Sequence, residues 1–180
     1  MTRLRRGVVV VLNTMVYVCV ASFVSVWSTT AGASFTLPLL SNGVYDFNVS
    51  WGDSQTNHIT EYNQAEVTHV YATSGEVTIS ITGIIQGFTF RDRTDVLLIS
   101  SWGPLQLIGG VGYYFSWCTN LVINASDDLD VSQVTNMEFM FYNANQIIGT
   151  NFARYLLYIL RKMQYVFIDH NDERMLMTTM

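Results

Sequence analysis

The chain has 180 residues, a length suited to one or two small domains. Its net charge is −5, and from Phe35 to Thr150 only Arg91 and Arg93 stand against a run of carboxylates from Asp46 to Glu138. So acidic a body repels phosphate backbones, which argues against nucleic acid as a partner. The two cysteines, Cys19 and Cys118, exclude a disulfide framework and a zinc site built from cysteine pairs.

In chain order, Arg3, Arg5 and Arg6 come first, then an apolar stretch from Val8 to Trp27. Ser28-Thr29-Thr30 and Ala31-Gly32-Ala33 follow. A charged start, an apolar run and an Ala-x-Ala string are the parts of a secretory signal peptide. Residues 1–33 are therefore expected to be a leader helix cut after Ala33, and the chain to be secreted or held at the cell surface. The apolar run is nearly long enough to cross a bilayer. A retained signal anchor is one alternative, and this segment is then the chain's one membrane contact; a buried strand or helix of the fold is another, which makes the arginines and the Ala-x-Ala string accidental.

Short strands are predicted next. Tyr45, Phe47, Val49 and Trp51 alternate with Asp46, Asn48 and Ser50, and Val77, Ile79 and Ile81 alternate with Thr78, Ser80 and Thr82. A period of two marks a strand with one face buried. Gly75 before the second strand and Gly83 after it read as turn residues. Phe35, Leu37 and Leu39 form a weaker strand that Pro38 confines to an edge, and Val67 to Tyr71 forms another. Strands this short and close together predict a small antiparallel sandwich. Gly52 admits an unusual backbone angle, and Asp53 can accept from amides of the following turn.

Trp51-Gly52-Asp53-Ser54, then His69-Val70-Tyr71, then Gly75 and an alternating strand, resemble the PKD-like β-sandwich modules of surface proteins. The likeness covers roughly residues 35–90, and the domain is taken as 34–90. Ser54 replaces the family's usual glycine, and Val77 stands where an aromatic is common.

The next segment repeats itself. Tyr114-Phe115, Cys118 and Asn120-Leu121 recur as Met140-Phe141, Ala144 and Gln146-Ile147, an offset of about 26 residues, and a fixed period of this size marks stacked-coil architectures. Between the copies lies Asp130-Val131-Ser132-Gln133-Val134-Thr135-Asn136-Met137. Val131 and Val134 are expected to face an interior. Met137, Met140 and Phe141 fit one helical turn facing the same way. Asn136 suits a bend, and Cys118 a buried small apolar position. The string Val-Ser-x-Val-Thr-Asn-Met-x-x-Met-Phe, after Trp102-Gly103 and Trp117-Cys118, resembles BspA-like leucine-rich-repeat surface proteins, known also as mycoplasma lipoproteins and protist surface antigens. In that family a PKD-like module often precedes the repeats. The resemblance implies a mainly β chain, with residues 91–150 as the start of a solenoid. It also implies a non-enzymatic binding or adhesion role toward protein or glycan on a host, matrix or neighbouring cell.

After Thr150 the pattern breaks. Phe152, Tyr155, Leu156, Ile159, Met163 and Val166 give a helical stripe with Arg154, Arg161 and Lys162 outside it. Residues 151–180 read as an atypical tail from truncation or a frame change. The alternative is a genuine capping helix of the kind a solenoid needs.

Chemistry-bearing motifs are sparse. Asp127, Asp128 and Asp130 lack the alternating ligands and glycine bend of a calcium loop and read as turn-capping groups. His58, His69 and His170 have no zinc spacing, with His69 a packing residue. Gly109-Gly110-Val111-Gly112 lacks the lysine of a phosphate loop and reads as a connection. Asn48 and Asn124 head glycosylation sequons. No catalytic residue, metal or cofactor is expected. Tyr113, Tyr114, Trp117 and Tyr142 read first as core-packing residues, and as binding anchors if exposed. Two rival readings are a carbohydrate-active enzyme or accessory module using two carboxylates, and a non-functional fragment.

Overall fold

In a computed structural model, described for residues 21–147, the chain is mainly β and has no α-helix among those residues. The strands are β1 (Phe23–Thr29), β2 (Ser34–Thr36), β3 (Leu39–Ser50), β4 (Thr56–Ile59), β5 (Thr68–Val70), β6 (Gly75–Phe88), β7 (Val96–Ser101), β8 (Leu105–Gly109), β9 (Val122–Ile123) and β10 (Asp130–Val134). Eight of them form one open mixed sheet, and β2 and β5 form a separate two-stranded sheet. A single 3₁₀ turn, Ala65–Val67, precedes β5.

The long strand β6 organises the sheet. β3 runs antiparallel along one edge of it, from Leu39↔Phe88 to Ser50↔Ser80. β1 takes the first half of the other edge, from Phe23↔Ile81 to Thr29↔Gly75. Where β1 ends, β8 continues that edge in parallel, with Ile85 opposite Leu105 and Gln86 opposite Gln106. Further parallel pairs follow. Leu98 and Ile99 of β7 lie opposite Val122 and Ile123 of β9. Gln106, Ile108 and Gly109 of β8 lie opposite Asp130, Gln133 and Val134 of β10.

The alternating stretches form strands because alternate side chains reach one interior. Tyr45, Phe47 and Val49 on β3 and Ile79 and Ile81 on β6 are buried, while Asp46, Asn48 and Thr78 are exposed. The apolar core continues without a break from Phe23 to Ile147. Residues 34–90 and 91–147 thus share a sheet and a core. β1 contributes to both parts, pairing with β6 on one side and β7 on the other.

Several sequence-based expectations change. Residues 23–29, expected inside an apolar leader helix ending at Ala33, form the central strand β1, with Phe23 and Trp27 wholly buried. An apolar run ending in alternation meets the composition of a leader and of a buried strand equally well. Gly83, expected as the turn after a strand, lies in the middle of β6 opposite Phe47. Met137, Met140 and Phe141 do not form an α-helical turn. They sit in a succession of tight turns, with the Met140 amide on the Met137 carbonyl at 3.1 Å. Their burial is as expected, since Met137 and Met140 are in the core and Phe141 packs on it. The expected tail helix over 151–180, and residues 1–20 of the leader, lie outside the described residues.

Gly83 allows a sharp test of the sheet. Its φ is +117°, and a Cβ there would collide with the Asp46 carbonyl and lie 2.8 Å from Phe47 Cα. Gly75 also has positive φ, +148°, but a Cβ there meets nothing within 4 Å. Gly83→Ala is expected to cost roughly 2–4 kcal/mol in urea unfolding, from backbone strain and the clash together. Gly75→Ala is expected to cost distinctly less. Equal losses would contradict this packing of β3 on β6.

Candidate functional site

Trp51, Gly52, Asp53, His69 and Tyr71 gather where β3 ends beside β5, while Gly75 lies opposite Thr29 of β1. Trp51 is buried at the end of β3, and its indole N–H donates to Asn57 Oδ1 at 2.8 Å. The His69 ring stacks on Trp51 at 4.8 Å between centroids with 7° between planes, and meets Tyr71 edge-on at 4.6 Å. The Tyr71 hydroxyl donates to the Trp51 carbonyl at 3.0 Å. Gly52, at φ +88°, lets its backbone pass the Thr78 carbonyl, where a Cβ would lie 2.7 Å away. Asp53 accepts from the Gln55 amide at 3.1 Å, and its Oδ2 lies 2.7 Å from His69 Nε2. Partial burial pushes the Asp53 carboxyl up, but the bonds from His69 and Gln55 outweigh it and leave the group below its ordinary value. Every polar group named here is spent on its neighbours. The cluster is a clamp that ties β3, the turn after it and β5 together.

Asp127 has the same character. Its two oxygens take the Trp102 amide at 3.0 Å each, and Oδ2 also takes the Gly103 amide at 2.7 Å and the Ser101 hydroxyl at 3.0 Å. Burial works to raise the carboxyl, and these amides and the hydroxyl reverse that and hold it below its ordinary value. Asp130 accepts from Gln106 Nε2 at 2.7 Å and from the Ser132 amide at 2.8 Å. Asp127 and Asp130 therefore fasten one chain segment to the next, as turn-capping carboxylates do. No group of three or more metal-ligating side chains occurs among the described residues. Gly109 ends β8 and Gly112 leads into the next turns, both at positive φ, where the sequence places a connection.

The turns after β8 and β10 share three backbone bonds at the 26-residue offset. Amide-to-carbonyl contacts run Ser116→Tyr113, Cys118→Phe115 and Leu121→Cys118, then Tyr142→Phe139, Ala144→Phe141 and Ile147→Ala144, each at 3.0–3.2 Å. The copies are also joined to each other, Phe115→Met140 and Trp117→Tyr142 at 2.8 Å. An earlier segment joins the first copy, Phe90→Tyr114 at 2.7 Å and Asp92→Ser116 at 2.9 Å. Inside, Phe90, Phe115 and Phe141 stack in a column at 5.0 and 5.2 Å, with planes 15° and 11° apart. Cys118 is buried with Sγ 2.9 Å from the Phe90 carbonyl, and burial raises its thiol to about 12. It is the small apolar group the sequence suggests.

Outside that column lies a second aromatic row. The Arg91 guanidinium sits 4.9 Å over the Tyr113 ring. Tyr113 stacks on Phe139 at 5.3 Å, Phe139 meets Tyr142 edge-on at 5.9 Å, and Tyr142 meets Trp117 at 5.8 Å. Trp117, Phe139 and Tyr142 are exposed at 48%, 42% and 39%. Of the anchors named from sequence, Trp117 and Tyr142 are on this ridge and Tyr113 is half-buried within it. Tyr114 is not: it is fully buried, its hydroxyl 2.7 and 2.8 Å from the Ile108 and Gly109 carbonyls. Phe139 and Arg91 are additions. Phe139 stands to Tyr113 as Phe141 stands to Phe115, so the period already contains it.

Asn48 and Asn124 both have exposed side chains, Asn48 on β3 and Asn124 just after β9. No helix among the described residues is long and apolar enough to cross a membrane. No family model, curated protein or solved structure matches the chain.

The Asp127 geometry predicts a pH-dependent loss of stability. A carboxyl held below its ordinary value contributes stability above its unfolded pKa of about 3.9, and loses it as pH falls through the lower folded value. Asp127→Asn keeps the shape but turns an amino group toward backbone N–H donors. It is expected to cost roughly 1–3 kcal/mol at neutral pH. The gap to the wild type should close in urea titrations as pH drops below about 4. A gap of the same size at both pH values would rule out the charge as its cause.

Proposed function

We propose that this is a non-enzymatic, secreted or surface-held binding protein. A PKD-like β-sandwich leads in it into the first coils of a leucine-rich-repeat-type solenoid related to BspA-like surface proteins. Three observations support the architecture: the parallel pairs β7–β9 and β8–β10, the duplicated turn bonds, and the Phe90–Phe115–Phe141 column with one ring per coil. In such stacks each coil leans on its neighbour, and the exposed side chains form a continuous rigid face.

The observation that carries the binding role is the exposed row of Trp117, Phe139 and Tyr142. Trp117 and Phe139 hold φ of +61° and +55°. L-residues other than Gly, Asn and Asp adopt that region at a cost of about 1–2 kcal/mol. At the position equivalent to Trp117 in the next copy stands Asn143, also at +55°, a residue that tolerates it. The angle therefore belongs to the repeated turn, and at Trp117 a large exposed aromatic is held on it at that cost. Aromatic anchors dominate binding energy at protein interfaces, and their flat faces also suit sugars. The partner is accordingly a protein or glycan on a host, matrix or neighbouring cell, with no cofactor involved.

The test is binding of the secreted full chain to panels of immobilised extracellular-matrix proteins and oligosaccharides. Trp117→Ala with Tyr142→Ala is expected to weaken a captured partner at least tenfold, the loss typical of aromatic anchors. The melting temperature should change little. Val44→Ala with Ile84→Ala, two exposed apolar positions on β3 and β6, should leave binding unchanged. Binding indifferent to the ridge variant would remove the ridge as the binding face.

A further inference from the structure

We propose that the exported chain is cut between Ala21 and Ser22, not after Ala33. The inference rests on the export reading given above. The Ala31-Gly32-Ala33 string lies in the turn from β1 to β2. The Gly32 amide donates to the Tyr71 carbonyl at 2.9 Å, the Ala33 amide to the Thr30 carbonyl at 3.1 Å, and the Ala31 amide to Ser74 Oγ at 2.9 Å. A cut there removes β1. With it go the strand between β6 and β7 and the buried rings of Phe23 and Trp27. Trp27 stacks on Phe90 at 6.0 Å, so the head of the inner aromatic column goes too.

Ser22 is anchored to the sheet. Its carbonyl lies 2.9 Å from Ser101 Oγ, whose one proton is shared between that carbonyl and Asp127 Oδ2 at 3.0 Å. Gly103, at φ +48°, packs its Cα so closely on the Ser22 backbone that a Cβ there would collide with it. Ala21, one residue earlier, is exposed and outside the sheet.

The amino acids before that point supply a complete leader. Arg3, Arg5 and Arg6 give the charged start, and Val8 to Val20 the apolar run. That run falls within the ~7–15 residues of a leader's apolar region. Cys19-Val20-Ala21 then puts small side chains at the third and first positions before the cut, the pattern a signal peptidase reads. Water adds across the Ala21–Ser22 amide, leaving a carboxylate on Ala21 and an ammonium on Ser22. The leader departs and β1 stays in the sheet.

The experiment is expression of the full chain in a secreting host, with intact mass and N-terminal sequencing of the product. A mature chain starting at Ser22 is expected. Ala21→Arg should abolish that species, and Ala33→Arg, at an exposed turn residue, should leave it unchanged. A chain starting at Ser34 overturns the proposal while leaving export intact. A chain kept in the cells with its first residues uncut overturns both. Processing blocked by Ala33→Arg but not by Ala21→Arg also counts against the Ser22 start.

Discussion

The stack of rings Trp27–Phe90–Phe115–Phe141 is the constraint on which the rest of the structure depends. It begins on β1, passes through the segment after β6, and continues through both copies of the repeated turn. Neighbouring planes differ by 11° to 15°. Each such pair adds about 0.5–1.5 kcal/mol beyond the area it buries. Its larger effect is geometric. Rings stacked in parallel fix the spacing of the chain segments that carry them, and that spacing is what the parallel strand pairs and the amides Phe115→Met140 and Trp117→Tyr142 require. Trp102, edge-on to Phe115 at 5.9 Å, and Cys118, against the Phe90 carbonyl, close the column from the side.

The column also joins residues 34–90 to residues 91–147. Arg93 clasps Asp95 with two bonds of 2.7 Å, donates to the Thr36 carbonyl at 2.8 Å, and lies over Trp27 and Phe35 at 4.8 and 4.9 Å. One side chain thus ties the small sheet, the central strand and the start of β7 together. A guanidinium between two rings is less exposed to water than a surface ion pair and loses less to screening. Phe35 in turn meets Trp51 and Tyr71 edge-on at 6.2 Å, so the Trp51–His69–Tyr71 clamp is continuous with the column.

What the amino acids reveal in advance follows from where the information is stored. The period is legible because the turn residues themselves carry it. Phe115 and Phe141, Cys118 and Ala144, and Leu121 and Ile147 each occupy matched positions in or against the core, and each pair is alike in size and polarity. The β3 and β6 alternations are legible because one face of each strand is solvated. β1 is not legible, because both its neighbours and its faces are set by distant segments. Its apolar letters merge with the run before it. β8 hides for a related reason: Leu105 and Leu107 are buried, but Pro104 before them and the glycines after them read as loop. Gly83 shows the limit of punctuation rules. A glycine marks either a turn or a close approach of two backbones, and only the register of β3 on β6 decides between them. In the ridge, sequence singles out Trp117 and Tyr142. Tyr114 takes the core position that the sequence favours for all four aromatics, and nothing local says which of two adjacent tyrosines points inward.

Rigidity and recognition meet in those turns. An exposed aromatic on a mobile loop loses rotamer and backbone freedom when it binds, and that loss subtracts from affinity. Here Trp117, Phe139 and Tyr142 stand on tight turns. The Trp117 amide is bonded to the next copy and the Tyr142 amide within its own, the Phe139 carbonyl accepts the latter, and a packed column of rings lies behind them. The ordering cost has already been met in folding, partly by left-handed backbone at Trp117 and Phe139. Arg91 adds a cation at one end of the row, on a body otherwise dominated by carboxylates. In the proposed role, a partner that follows the row from Trp117 meets flat apolar faces first and last a guanidinium already paired with Asp92 at 3.3 Å, so the ridge differs in character at its two ends.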